Sequence, residues 1–197
     1  MPSADDRKIL DFIDRKSLRK WLKKNHTQKE SVWLILHKKN STKGTLTYND
    51  AVEQGLCFGW IDTKPNKIDD ETYKLLFAPR KSKSMWSKIN KEKIEQLKSA
   101  GLMQTAGLEK IEQAKKDGSW NLLDAVDKLE IPADLKKAFT HHKKAKQYFE
   151  AFPASVKKQI IWWISSAKTV ETKLKRITET VKLAEKNIRA NQYQPKK

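Results

Sequence analysis

The stretch Phe58-Gly59-Trp60-Ile61-Asp62 is the point at which the sequence pattern changes from helix to strand. A helical pattern opens before it with a capping box at Thr47 and Asp50. This helix is predicted to stop near Gly59, because glycine readily adopts the left-handed backbone conformation that ends a helix. The residues that follow predict a strand, and the pair Pro65-Asn66 predicts the turn after it.

The sequence on either side of this junction predicts a small sheet packed by helices. Apolar residues recur at helical spacing in residues 9–22, and Ser17 is predicted to cap the second of two short helices there. The apolar run 32–36 predicts a strand buried on both faces, ended by the turn-prone residues 40–44. Apolar and aromatic side chains at alternate positions of 73–77 predict the returning strand.

Helical spacing dominates the chain after Pro79. The first two helices are predicted to close at Gly101 and Gly118. One longer helix is predicted over residues 132–149, since proline is favoured at the start of a helix, and Pro153 separates it from the next. The apolar stripes of the first two helices are Ile89, Ile94 and Leu97, then Leu108, Ile111 and Ala114. The stripe of the last helix includes Leu174, Ile177, Val181, Ala184 and Ile188.

These patterns predict the α+β class: a small N-terminal sheet with helices, followed by a C-terminal helical module. The first part is predicted to span residues 1–118, and the helical module residues 119–190. Residues 191–197 are too polar to pack, so we expect a flexible tail.

Charge is unevenly distributed along the 197 residues, whose net charge is +18. Residues 1–79 hold 15 basic and 11 acidic side chains, whereas residues 80–197 hold 27 and 13. Such a field favours anionic partners, including nucleic acid and phosphorylated ligands. Only six of the 42 basic residues are arginine, and lysine lacks the bidentate geometry that reads bases. We therefore expect any nucleic-acid binding to be weak and insensitive to sequence.

Several classes of site are disfavoured by the residue types present. The single cysteine, Cys57, excludes an internal disulfide, and its apolar neighbours predict a buried thiol. His141 and His142 are adjacent, so on a helix they point about 100° apart and cannot bind one zinc ion together. No phosphate-binding loop or dinucleotide fingerprint occurs, and we expect no cofactor. Without an N-terminal signal segment or an apolar run of membrane-spanning length, we expect a cytoplasmic location.

The candidate site is the segment from Pro79 to Asn90 together with the Trp60–Asp62 turn. A helix is predicted to begin at Ser84 or Ser87. Its free backbone N–H groups, the serine hydroxyls and the guanidinium of Arg80 would together bind a phosphate or carboxylate. The predicted ligand-binding residues are Trp60, Asp62, Arg80, Ser84, Trp86, Ser87 and Asn90. An alternative stays open, in which Arg80 pairs with the aspartate, both tryptophans lie in the core and the serines only cap.

The motifs resemble those of the bacterial YdeI/OmpD-associated proteins. The resemblance rests on residues 58–62, 79–90 and 101–107, together with Trp163-Ile164 in the helical module, and it runs from Trp21 to about Arg189. It implies an N-terminal YdeI-like part and a C-terminal OmpD-associated module. The family name implies a role in envelope stress or in protection from bacteriocins, and the resemblance implies no reaction.

We expect a non-enzymatic binding protein that holds an anionic small molecule or an acidic protein partner at the segment after Pro79. Two other classes stay open. A nucleic-acid-associated protein would use the lysine-rich helices from Lys136 to Lys186, gathering their lysines on one face. An enzyme would use Asp62 as an acid and Arg80 as an electrostatic clamp in a cleft.

Overall fold

A computed structural model describes residues 6–38 and 46–192 of the chain. The chain divides into a first unit, Met1–Asn121, and a second unit, Leu122–Lys197. The predicted α+β class is confirmed, since a four-stranded sheet lies in the first unit and the described elements of the second are helices. The turn predicted at residues 40–44 lies outside the described residues, as does most of the predicted tail.

The sheet of the first unit has two central and two edge strands. Its strands are β1 (Ile9–Asp11), β2 (Val32–His37), β3 (Trp60–Lys67) and β4 (Thr72–Pro79). Their order is β1-β2-β4-β3; β1 pairs with β2 in parallel, and the other pairs are antiparallel. The prediction that residues 32–36 form a buried strand is confirmed, because β2 is central and Val32, Trp33 and Leu34 are all buried.

Helices of the first unit share one hydrophobic core with this sheet. They are α1 (Arg15–Asn25), α2 (Tyr48–Phe58), α3 (Lys88–Ser99) and α4 (Thr105–Lys116), followed by a 3₁₀ turn at Ser119–Asn121. The capping box at Thr47 and Asp50 is confirmed, and α2 ends at Gly59 with a φ of 74°. The core includes Leu18, Leu22, Leu34, Leu36, Leu56, Phe77, Ile94 and Ile111.

The prediction of two short helices in residues 9–22 is wrong. Ile9–Asp11 forms β1, paired with residues 33–35 of β2, and only α1 follows. Asp14 caps α1, while Ser17 occupies the third helical position and completes a capping box with it. Strand pairing with a distant segment overrides the local helical spacing here, because it supplies β1 with backbone partners.

The turn predicted at Pro65-Asn66 is also wrong. Both residues lie within β3, just after the register irregularity that follows Asp62. Proline is tolerated there because β3 is an edge strand. The strand reverses further on, where the carboxylate of Asp69 accepts hydrogen bonds from the amides of Glu71 and Thr72 at 2.8 and 2.6 Å.

The second unit is built from helices α5 to α9. They are α5 (Asp124–Asp127), α6 (Ala133–His141), α7 (Lys143–Ala151), α8 (Ala154–Ser165) and α9 (Val170–Ala184). The single helix predicted over 132–149 is two helices, since the backbone breaks at His142 (φ −131°, ψ 64°). The ring of His142 is hydrogen-bonded to the carboxylate of Glu185 at 2.6 Å. Pro132 and Pro153 each lie one residue before a helix.

Some residues of the predicted apolar stripes are exposed. Ile89 is 65% exposed and Leu108 is 40% exposed, so α3 and α4 bury only the later members of their stripes. Leu174 and Ile188 are also exposed, at 54% and 38%. Ile89, Leu108 and Leu174 lie within helices, but the neighbouring elements cover only part of each stripe. Ile188 lies beyond the end of α9 at Ala184, so its predicted place in the last helix is wrong.

The backbones of α2 and α4 make a close contact. A Cβ atom placed on Gly107 would lie 2.4 Å from the carbonyl oxygen of Cys57 and 2.5 Å from that of Leu56. The amide of Gln104, which precedes α4, donates to the same Cys57 carbonyl at 3.1 Å. Only glycine fits at position 107, since real Cβ contacts essentially never fall below 3.0 Å.

Replacing Gly107 with alanine should lower the free energy of unfolding by about 2–3 kcal/mol, because the two helices must separate to admit the methyl group. Gly101→Ala is the matched control: its φ of 66° disfavours alanine, yet no atom lies within 4 Å of an added Cβ. We expect the control to lose about 1 kcal/mol. Urea unfolding followed by circular dichroism measures both losses. Equal losses would contradict the steric argument.

Candidate functional site

Arg80 is the most unusual polar residue of the first unit. It directly follows β4, and its amide donates to the carbonyl of Gly59 at 2.9 Å, which ties it to the end of α2. The side chain is only 2% exposed. Its guanidinium carbon lies 3.7 Å from the ring centroid of Trp86, and Nη1 donates to the carbonyl of Met85 at 2.9 Å.

Most of the hydrogen-bonding capacity of Arg80 is unused. In the part of the chain that the structure describes, its Nε and Nη2 atoms have no hydrogen-bond partner. The same holds for the indole nitrogen of Trp86 and the hydroxyl of Ser119, which are also buried. Buried polar groups are normally hydrogen-bonded, so a cluster of three such residues needs a physical reason.

The charge of Arg80 is not neutralised by a direct partner. Asp62 instead accepts a hydrogen bond from the hydroxyl of Tyr48 at 2.7 Å, and it makes no hydrogen bond or ion pair with Arg80. Burial lowers the pKa of Arg80 to about 10, and the more distant negative charge of Asp62 opposes this shift. The direct pair of these two residues that the alternative predicted is therefore wrong, whereas its placement of both tryptophans in the core is confirmed.

A cavity of about 510 Å³ lies against Arg80. Three segments form its wall: the loop after α1, the junction of α2 with the end of β4, and the first turns of α4. The lining residues are His26, Thr27, Gln28, Lys29, Phe58, Gly59, Pro79, Arg80, Lys81, Ala106, Glu109 and Lys110. Four of these are cationic and one is acidic, so an anion in the cavity is attracted by the wall.

Contacts with the core hold the wall of the cavity in place. Trp60, itself 1% exposed, donates its indole N–H to the carbonyl of His26 at 3.1 Å and so fixes the loop after α1. The His26 ring lies 5.9 Å from that of Phe58. On the opposite side, Gly59 leaves no room for a Cβ atom, which would lie 2.7 Å from Cγ of Lys110.

A second cavity, of about 550 Å³, lies along the outer side of α4. Its lining includes three carboxylates, Glu109, Glu112 and Asp117, and two lysines, Lys83 and Lys116, and all of these side chains are exposed. Because its walls contain no buried polar group and acids outnumber bases, we assign the candidate site to the cavity at Arg80.

Comparison with known families assigns each unit separately. The family model described as "Domain of unknown function (DUF8412)" matches residues 10–110, slightly more than half of the chain. The chain belongs to the DUF8412 family. Residues 128–187 match the model described as "Bacteriocin-protection, YdeI or OmpD-Associated". No curated protein and no solved structure matches the chain.

The predicted YdeI/OmpD-associated resemblance is confirmed for residues 128–187. The motifs at 58–62 and 79–90, however, lie in the part that matches the DUF8412 model. All residues that line the candidate cavity therefore belong to the DUF8412 domain. Within residues 6–38 and 46–192, no helix combines the length and the apolar character needed to span a bilayer.

Of the seven predicted site residues, only Arg80 lines the candidate cavity, and its guanidinium lies over the ring of Trp86. Trp60 lies in the core, and Asp62 is bonded to Tyr48. The remaining three, Ser84, Ser87 and Asn90, stabilise the local backbone and line neither of the two cavities. Ser84 Oγ donates to the carbonyl of Lys81 at 2.6 Å, while Ser87 Oγ caps α3 by accepting from the amide of Asn90 at 3.3 Å.

Several residues around Arg80 were not among the predicted site residues, including His26, Lys29, Lys81, Lys110 and Ser119. Lys81 lies within the predicted segment of residues 79–90 and could have been included from its position alone. The others come from distant parts of the chain and carry no local signal, because their proximity arises only from the tertiary fold.

The Tyr48–Asp62 hydrogen bond predicts an alkaline step in stability. Burial, then the hydrogen bond to Asp62, raises the pKa of Tyr48 to about 12 from its ordinary value of 10.0. A raised pKa means that the stabilising contribution is complete below pH 10.0 and is lost as pH rises through about 12. Between these values, the unfolding free energy of the wild type should fall more steeply than that of Tyr48→Phe. Urea unfolding at several alkaline pH values checks this, and parallel curves would contradict it.

Proposed function

We propose that the DUF8412 domain binds a small anionic molecule in the cavity of about 510 Å³, with Arg80 as the buried cation that attracts it. The ligand carries a phosphate or carboxylate group, which bonds the guanidinium. The domain acts in this proposal as a binding module and not as an enzyme.

The observation that carries the proposal is the burial of Arg80 without a carboxylate. Removing a guanidinium from water costs several kcal/mol after relaxation, and a single carbonyl, that of Met85, offsets only part of this cost. Stacking on Trp86 adds a favourable term that does not use the free N–H groups. The free N–H groups are buried, so a ligand anion would bond them only after the protein around them shifts. The anion would then neutralise the charge, and binding would relieve a cost already present in the free protein.

The electrostatics of the cavity wall support the same proposal. Lys29, Lys81 and Lys110 add three cations around Arg80, against the single carboxylate of Glu109. Ala106, in the first turn of α4, also lines the cavity, and this end of a helix carries a partial positive charge. The wall therefore favours anions from several directions.

For the second unit we propose a role in bacteriocin protection or stress. The description of the family whose model matches residues 128–187 supports the role in bacteriocin protection. This proposal is independent of the anion site, because it concerns other residues of the chain.

Phosphate should stabilise the protein by mass action, because a ligand that binds only the native state raises its free energy of unfolding. At a concentration 100 times the dissociation constant the increase is about 2.7 kcal/mol. Arg80→Ala should remain folded and lose this increase entirely. Thermal melting with and without phosphate at constant ionic strength measures both effects.

Arg15→Ala is the matched control. Arg15 belongs to the same unit and carries the same charge, but it is paired with Asp50 and Glu53 at 3.4 and 2.8 Å. This variant should be less stable in both buffers and should keep the full response to phosphate. A wild type that does not respond to phosphate, beside an Arg80→Ala variant destabilised equally in both buffers, would show that Arg80 is structural.

A further inference from the structure

Arg80, Trp86 and Ser119 line one narrow gap under the loop of residues 81–85. Each is at most 2% exposed, and each has a side-chain nitrogen or oxygen without a partner in the part of the chain that the structure describes. The gap is too narrow for a water molecule in this conformation. Lys81 and Lys110 line both the gap and the cavity of about 510 Å³, so these two spaces adjoin. Lys83 and Asp117 line both the gap and the second cavity, so the gap adjoins that space as well.

The chemistry of the unpartnered atoms is uniform. Nε and Nη2 of Arg80 and Nε1 of Trp86 can only donate hydrogen bonds, and the hydroxyl of Ser119 can also donate. Nε–H and one N–H of Nη2 lie on the same edge of the planar guanidinium and point in parallel, the geometry that binds two oxygens of one phosphate. Four unpartnered donor atoms on residues that line one gap match a group with several acceptor oxygens better than any single carbonyl.

The carboxylate nearest this gap is already engaged. Asp117 lines the gap, but its two oxygens accept hydrogen bonds from the amides of Ser119 and Lys83 at 2.9 and 3.1 Å. It therefore holds the loop of residues 81–85 over the gap without bonding Arg80. Lys83 has a φ of 59°, an unfavourable value for a residue other than glycine, so this closed loop is held under strain.

We propose that the gap is an oxyanion subsite of the cavity, in which Arg80, Trp86 and Ser119 together bind a tetrahedral phosphate-type group. This inference rests on the proposed function and narrows its ligand from anions in general to phosphate or sulfate groups. The subsite opens when the loop of residues 81–85 shifts, and the bound group then takes up the free donors. Carboxylates, which have two oxygens, leave part of the donor set unbonded and bind more weakly.

Isothermal titration of the full-length protein with inorganic phosphate, sulfate and acetate tests the subsite. We expect phosphate and sulfate to bind at least about tenfold more tightly than acetate, since one hydrogen bond to a charged group is worth about 1.5–3 kcal/mol and each 1.4 kcal/mol is tenfold. Trp86→Phe keeps an aromatic ring under the guanidinium and removes the N–H together with the five-membered ring of the indole. Ser119→Ala removes only the hydroxyl. Each should weaken phosphate binding about tenfold with the protein folded. Ser119→Ala should be no less stable in phosphate-free buffer, whereas Trp86→Phe should lose stability in every buffer, as Trp21→Phe should, because ring atoms are removed from packed positions.

The matched controls are Trp21→Phe and Ser99→Ala. Trp21 packs edge-on against Trp60, and the hydroxyl of Ser99 donates to the carbonyl of Glu95, so neither lines the gap. Both should bind phosphate as the wild type does. If Arg80→Ala abolishes binding while Trp86→Phe and Ser119→Ala bind normally, the subsite is wrong and the broader anion site stands. Equal affinity for acetate and phosphate also overturns the subsite. If none of the three anions binds, both proposals fall.

Discussion

The cavity at Arg80 depends on the backbone contact between α2 and α4. Gly107 brings α4 against the last carbonyls of α2, and Gly59 ends α2 at the same place. Lys110 and Ala106 thereby reach the start of β3 and the end of β4, although they are distant in sequence. A side chain at either glycine would push α4 outward and separate one wall of the cavity from the others.

Trp60 connects the contact between α2 and α4 to the sheet and to the loop after α1, which forms another part of the cavity wall. Its ring packs against Phe77 of β4 and Trp21 of α1, with centroid distances of 5.2 and 5.6 Å. Its N–H holds the carbonyl of His26, so the loop after α1 takes its position from β3. Trp60, which the sequence predicted to contact the ligand, is thus a core residue. The loop that it holds forms this part of the cavity wall.

Elements that carry a local sequence signal could be predicted. An element that forms only by pairing with a distant segment could not. Gly59 carries its own conformational signal, so the end of α2 could be placed from sequence. Ile9–Asp11 could not, because its strand conformation depends on a partner in β2. The site divides in the same way: Arg80 stood out by residue type within a distinctive motif, whereas His26 and Lys110 are ordinary surface residue types. Their role follows from where the tertiary fold places them.

Two arginines of the first unit show how the hydrogen-bond partners of a guanidinium distinguish a structural role from a binding role. Arg19 and Arg80 both lie over an aromatic ring, at 5.3 and 3.7 Å. Arg19 donates to the side chain of Gln54 at 2.9 Å and to the carbonyl of Leu102 at 2.8 Å, so it joins α1, α2 and the segment before α4. Arg80 is more deeply buried, yet its side chain has one acceptor, the carbonyl of Met85 in the loop that directly follows it. A guanidinium whose task was to hold segments together would use its donors between them, as Arg19 does. The unpartnered donors of Arg80 and of Trp86 instead belong to side chains that line one gap, which is consistent with the anionic ligand proposed above.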